Sequence, residues 1–203
     1  MTRRWFRCLL RNHLIAVRGC EVTLSPQTLN DSDRRLVASW AADCAERVLP
    51  IFEAEAPGDG RPRDAVERAR AYGRGELDAA DEIRRRFIAG RAARVVSSPA
   101  AVAAARSAAQ ASGVAHMGAH ALGAAAYAAL AVGLAAADGV SASSAEVDWQ
   151  LAHMTNPVRS ALRLLPPIGT DSAGPLGEGL LARGSLAAII HQLQTGAADP
   201  GRE

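Results

Sequence analysis

The feature that most constrains this chain is its Ala-rich middle. It runs through Gly113-Val114-Ala115-His116-Met117-Gly118-Ala119-His120 to the edge of Asp138 and is the longest stretch without Asp, Glu or Arg. Alanine is the strongest helix former, and a stretch this poor in charge belongs inside a fold. Small side chains let helices approach closely, but each buries little area. Aromatic residues make up only 4% of the 203 residues. Leu, Val and those few aromatics must therefore supply most of the hydrophobic stabilisation, at roughly 25 cal/mol per Å2 buried. The fold class this predicts is all-α: a compact bundle of about six helices.

The same stretch admits three readings: a central buried helix, a membrane span, or half of a metal site. At ~100° per residue, His116, His120, Gly123, Tyr127, Leu130 and Leu134 share one stripe of a helix over about 113–137. Val114, Met117 and Val132 fall opposite. A helix apolar on both sides is packed on both sides, so this one is expected at the centre, its histidines bonded to neighbouring helices. His116 and His120 stand at i and i+4, the spacing a metal site uses. Zinc needs at least three protein ligands, and no second His/Cys/Asp cluster is evident. HMGAH also lacks the Glu that a zinc-protease helix places beside its metal. No metal and no cofactor is expected. The uncharged run Ala121 to Ala137 falls short of the ~20 residues that span a bilayer, so no membrane segment is expected.

Elsewhere the punctuation divides the chain into helices. Asn30-Asp31-Ser32 offers caps before a helix whose face carries Leu36, Val37, Trp40, Cys44, Val48, Ile51 and Phe52. Pro50 is expected to kink or end it. Arg61-Pro62 opens a second helix with Ala65, Ala69 and Tyr72 inward. A third, Asp78 to Val96, is expected to turn Ile83 and Phe87 inward and to pair Asp81 with Arg85 and Glu82 with Arg86. Ser98-Pro99 starts the fourth, ending near Gly113. Ser143-Ser144 is read as the cap of a sixth, interrupted at Asn156-Pro157 and resuming from Val158 to Leu165. Residues 166–203 read as a Gly/Pro linker, a short helix from Ser185 to Gln194 and a disordered end from Gly196. Residues 1–21 read as an extension, with translation expected to begin near Val22.

All 23 basic residues are arginine, and the net charge is +2. That balance argues against a dedicated nucleic-acid binder. Arg84, Arg85 and Arg86 form the one basic triplet. It could contact phosphates in a helical regulatory or DNA-associated module, but Asp78, Asp81 and Glu82 beside it favour a solvated face. Cys8, Cys20 and Cys44 are an odd number without metal-like spacing, which points to a reducing compartment, the cytoplasm. Cys44 would need a histidine beside it to act as a nucleophile, and Asp43 is expected to pair with Arg47. There is no phosphate loop after a strand and no nucleophile elbow. No catalytic residues are expected; a metal-dependent or other enzyme would have to be built on His116 and His120.

The run Ala38-Ser39-Trp40-Ala41-Ala42-Asp43-Cys44-Ala45-Glu46-Arg47-Val48-Leu49-Pro50-Ile51-Phe52-Glu53, followed by Pro57 to Arg63 and by Ala65 to Tyr72, resembles the opening of the bacterial putative immunity protein family of polymorphic toxin systems. Ala115 to Ala121 with Ala124 to Ala128 resembles that family's central helix. Glu146 with Trp149-Gln150 resembles its last helix. The resemblance covers roughly residues 24–165. It implies an all-α domain that neutralises a cognate toxin by covering or distorting its active site. Such a mechanism needs a complementary surface and no catalytic groups, and the resemblance assigns no partner-binding residues.

Overall fold

A computed structural model describes residues 25–85 and 87–199, with the backbone pairing of Val17–Arg18 against Glu21–Val22. Apart from that pairing, the expected extension 1–21 lies outside the described residues. Among the described residues the fold is all-α. Helix α1 is Asp31–Glu46, α2 Leu49–Glu53, α3 Arg61–Gly73, α4 Ala79–Arg85 and α5 Pro99–Gly113. Then come α6 His120–Ala135, α7 Gly139–Ala152, α8 Asn156–Arg163 and α9 Gly184–Ala198.

The caps explain most of these boundaries. The Asn30 side chain accepts from Asp33 N, Ser98 from Ala101 N, and Thr155 from Val158 N. Each satisfies a donor that a helix start leaves without an intrahelical partner. Pro50, Pro62, Pro99 and Pro157 all lie in first turns. Pro50 therefore starts α2, where its missing N–H costs nothing. Helix α7 begins earlier than Ser143-Ser144 suggested, because Asp138 caps it by accepting from Ser141 N.

The central helix is α6. Every residue from Ala121 to Ala129 is buried, and it packs against α1, α5, α7 and α9. The helix expected over about 113–137 starts only at His120, and 114–119 form a turn. There Gly118 N donates to Thr28 O and Ala119 N to Gln27 O, bonds to another segment instead of to a preceding turn. Leu29 packs on Gly118, where a Cβ would stand 2.5 Å from Leu29 Cδ1. Leu29 itself holds a positive φ of 58°, a strained setting that this packing sustains. Leu134, expected on the central stripe, is exposed in the last turn of α6.

Two other expectations change. Leu36 is partly exposed, while Val37, Trp40, Cys44, Val48 and Phe52 are buried as expected. The expected helix Asp78–Val96 is α4 followed by a 3-10 helix at Ala89–Arg94. Phe87 lies in the turn between the two and is 60% exposed, while Glu82 of α4 is buried.

The Gly/Pro segment after α8 packs onto the bundle. Buried Gln27 donates from Nε2 to Asp171 Oδ2 (2.8 Å) and Ala173 O (2.7 Å), and its Oε1 accepts from Leu176 N (2.9 Å). Leu176 and Leu181 are buried, as are Leu186, Ile189, Ile190 and Leu193 of α9. Gly196 to Ala198, expected to be disordered, form the last turn of α9. Arg159, 2% exposed, donates to Leu151 O (3.0 Å) at the end of α7 and to Gly196 O (2.8 Å) near the end of α9. Arg163 Nε adds a bond to Ala197 O (2.7 Å). A buried cation between two helix C-termini is compensated by their carbonyls and dipoles.

Candidate partner-binding surface

The two histidines sit where α5 turns into α6. His120, in the first turn of α6, donates from Nδ1 to Gln110 Oε1 of α5 (2.7 Å). Its ring lies on Gly113, where a Cβ would stand 3.0 Å from the imidazole. The His116 ring centroid is 6.3 Å away, and His116 lies in the turn and not on the helix. Among the described residues no group of three or more His, Cys, Asp or Glu could hold a metal. Also among them, no helix is long and apolar enough to cross a membrane. Cys44 is fully buried, and burial pushes its thiol well above the ordinary range, with Glu146 and Asp43 adding to the effect. Such a thiol stays protonated and is a poor nucleophile.

The joint between α1 and α7 carries a denser constellation. Glu146 is 3% exposed, and a carboxylate so placed requires partners. Arg47 supplies a bidentate pair from Nε and Nη2 (3.0 and 2.9 Å), and Gln150 Nε2 donates a further bond (3.3 Å). Trp40 Nε1 donates to Gln150 O (3.1 Å), joining the two helices in the core. The outer face of this joint is aromatic. The Arg47 guanidinium lies 3.8 Å from the Trp149 ring centroid, and the His153 ring stacks 3.9 Å from it at 21°. Groups that close to one centroid must occupy opposite faces, so Arg47, Trp149 and His153 form a stack with Trp149 in the middle. His153 Nδ1 is anchored on Trp149 O (2.7 Å), and the imidazole is exposed.

Next to the stack, Arg70 of α3 bridges Asp43 (2.7 Å) and Glu46 (2.8 Å) of α1. The Arg70 hydrogen bond holds the Glu46 carboxyl below its ordinary range. The i,i+4 spacing predicts a pair of Asp43 with Arg47. The tertiary fold gives Asp43 to Arg70 and Arg47 to Glu146 instead. The expectation considered one helix, and a buried carboxylate on a neighbouring helix outcompetes an exposed i,i+4 partner. The signal that could have located the stack is the spacing Glu146, Trp149, Gln150, His153, which puts all four on one side of α7.

The basic triplet divides. Arg84 pairs with Asp81, Arg85 reaches Asp64 (3.4 Å), and Arg68 of α3 takes the buried Glu82. The expected pair Asp81–Arg85 is thus replaced by an i,i+3 pair and a bond to α3; Glu82 is bonded from α3, and the expected pair Glu82–Arg86 lies outside the described residues. Further along, Ile88 and Val95 are exposed beside exposed Arg91 and Arg94.

No curated protein and no solved structure matches the chain. A family model described as Imm-5 like putative immunity protein matches residues 27–157. That match spans α1 to α7 and includes the Arg47–Glu146–Trp149 joint. It covers well over half of the 203 residues, and the chain therefore belongs to the Imm-5 like putative immunity protein family.

Proposed function

We propose that this protein is a cytoplasmic immunity factor that binds a cognate toxin of a polymorphic toxin system and neutralises it by stoichiometric contact. The observation that carries the reading is the family match over residues 27–157. The geometry supports it. Neutralisation by coverage needs a rigid, preorganised surface and no reacting group, because affinity is gained when contact residues are already ordered before binding. The Arg47–Trp149–His153 stack is such a surface: Trp and Arg are the residue types that most often dominate binding energy. No metal, cofactor, nucleic acid or membrane enters the mechanism.

Co-expression tests the reading. Induction of the toxin encoded beside this gene in its native genome should arrest growth, and this protein should restore it. Continued arrest with soluble, folded protein present would refute the proposal.

A further inference from the structure

We infer that the 3-10 helix Ala89–Arg94 and its two flanks are a second face that contacts the toxin, besides the Arg47–Trp149–His153 stack, and that they dock an acidic protein surface bearing an apolar pocket. The inference rests on the immunity reading and assigns it a contact face. Two independent observations meet on this segment. The first is apolar exposure: Phe87 is 60% exposed, Val95 56% and Ile88 36%. Exposed large apolar side chains gathered in one short segment mark an interaction site, whereas single ones do not. The second is charge. Arg34, Arg35, Arg47, Arg61, Arg63, Arg68, Arg70, Arg74, Arg84 and Arg85 each have a carboxylate within 4 Å. Arg91, Arg94, Arg106 and Arg183 are exposed and have none among the described residues, and of these Arg91 and Arg94 stand together on one short helix.

The backbone brings the two features together. Side chains at i and i+3 eclipse in a 3-10 helix, so Ile88, Arg91 and Arg94 form one outward ridge. The inward ridge is Ala89 and Ala92, both buried, with α5 beneath them. The position is therefore fixed by packing from below and left open above. Two unneutralised arginines with three apolar neighbours fit a protein interface, where Arg and aromatic residues are enriched. They fit nucleic acid poorly, because phosphate binding relies on many free cations and the adjacent Arg84 and Arg85 are already paired.

The test measures binding of the full-length protein to the toxin domain encoded by the neighbouring gene, at low salt. Arg91→Glu and Arg94→Glu should each weaken binding at least about tenfold by putting like charge against the acidic surface. Ile88→Ser with Val95→Ser should also weaken it about tenfold. Arg183→Glu, the same charge change at the start of α9, should stay within about twofold. All variants should keep the wild-type Tm, since every changed side chain is exposed. Wild-type binding with no loss in the Arg91 and Arg94 variants would overturn the assignment and leave the immunity reading intact. No binding by the wild type would overturn both. Binding of a short duplex DNA by the wild type, lost in Arg91→Glu and Arg94→Glu, would assign the face to nucleic acid and overturn the protein partner.

Discussion

Arg159 is the residue on which the C-terminal part of the fold turns. Its guanidinium is buried and has carbonyl partners in two different helices. Removing it leaves those carbonyls buried with fewer donors, at about 1–3 kcal/mol each. Arg159→Ala should therefore lower the unfolding free energy by about 2–4 kcal/mol, read from the urea midpoint at constant m-value. An unchanged midpoint would show that water replaces the side chain. Glu146 is the comparable residue at the other joint. Glu146→Ala deprives Arg47 of its partner, but Arg47 is partly exposed and can rehydrate. The cost should be about 1–3 kcal/mol, below the usual figure for breaking a fully buried pair. Glu55 gives a pH signature. Backbone N–H groups of Ser97 and Ser98 bond its carboxylate and lower its pKa to about 2. Its unfolded value is about 4.3. Between the two the unfolded chain binds more protons, so stability rises with pH. The contribution is complete above the unfolded value and is lost as pH falls through the folded one. Urea midpoints measured from pH 6 down to pH 2 should fall more gently in Glu55→Gln than in wild type. Parallel curves would remove Glu55 from the account.

At the scale of elements, the helices were legible where a cap or proline stood next to a periodic apolar face. Asn30, Ser98, Pro62 and Pro99 announce α1, α3 and α5, and the uncharged run announces a central helix. What one helix at a time could not show is competition from neighbours. The turn at 114–119 bonds to Gln27 and Thr28, about ninety positions away, and delays the start of the expected helix to His120. Helix α4 ends at Arg85 and Phe87 lies exposed in the turn before the 3-10 helix, and a wheel drawn through one continuous helix does not anticipate that. The same limit hid the candidate surface, since Arg47 meets Trp149 only across the α1–α7 joint. Glycines at the turn between α6 and α7 were also opaque. A Cβ on Gly139 would stand 2.6 Å from Gly133 O, and one on Gly133 would stand 2.8 Å from Gly139 O. Both clashes are with backbone, which cannot swing aside. Gly139→Ala should cost about 1–3 kcal/mol by thermal or urea unfolding, although alanine is the better helix former. A stabilised Gly139→Ala would mean the two turns separate easily.

For the whole molecule, the family match ends at residue 157, but the apolar packing continues to α9. Leu176, Leu181, Leu186, Ile189, Ile190 and Leu193 are each worth about 1.5–3 kcal/mol when buried. Together they rival the 5–15 kcal/mol that typically holds a domain folded, at about 10 kcal/mol or more. Deleting residues 166–203 should therefore yield an insoluble or unfolded product, and a soluble fragment with a cooperative transition near the wild-type Tm would contradict this packing. The small-residue interior has a functional consequence as well. Ala-on-Ala packing around α6 builds the core with few large side chains, and the large side chains Trp149, Phe87, Ile88 and Val95 are left at or near the surface, where a partner can reach them. Binding by coverage predicts a specific stoichiometry. A fixed amount of the cognate toxin that the proposed function requires, titrated with this protein, should lose activity in proportion to the amount added and reach zero at one equivalent, with no further loss on longer incubation. Complete neutralisation by a small fraction of an equivalent, progressing with time, would show turnover and contradict stoichiometric immunity.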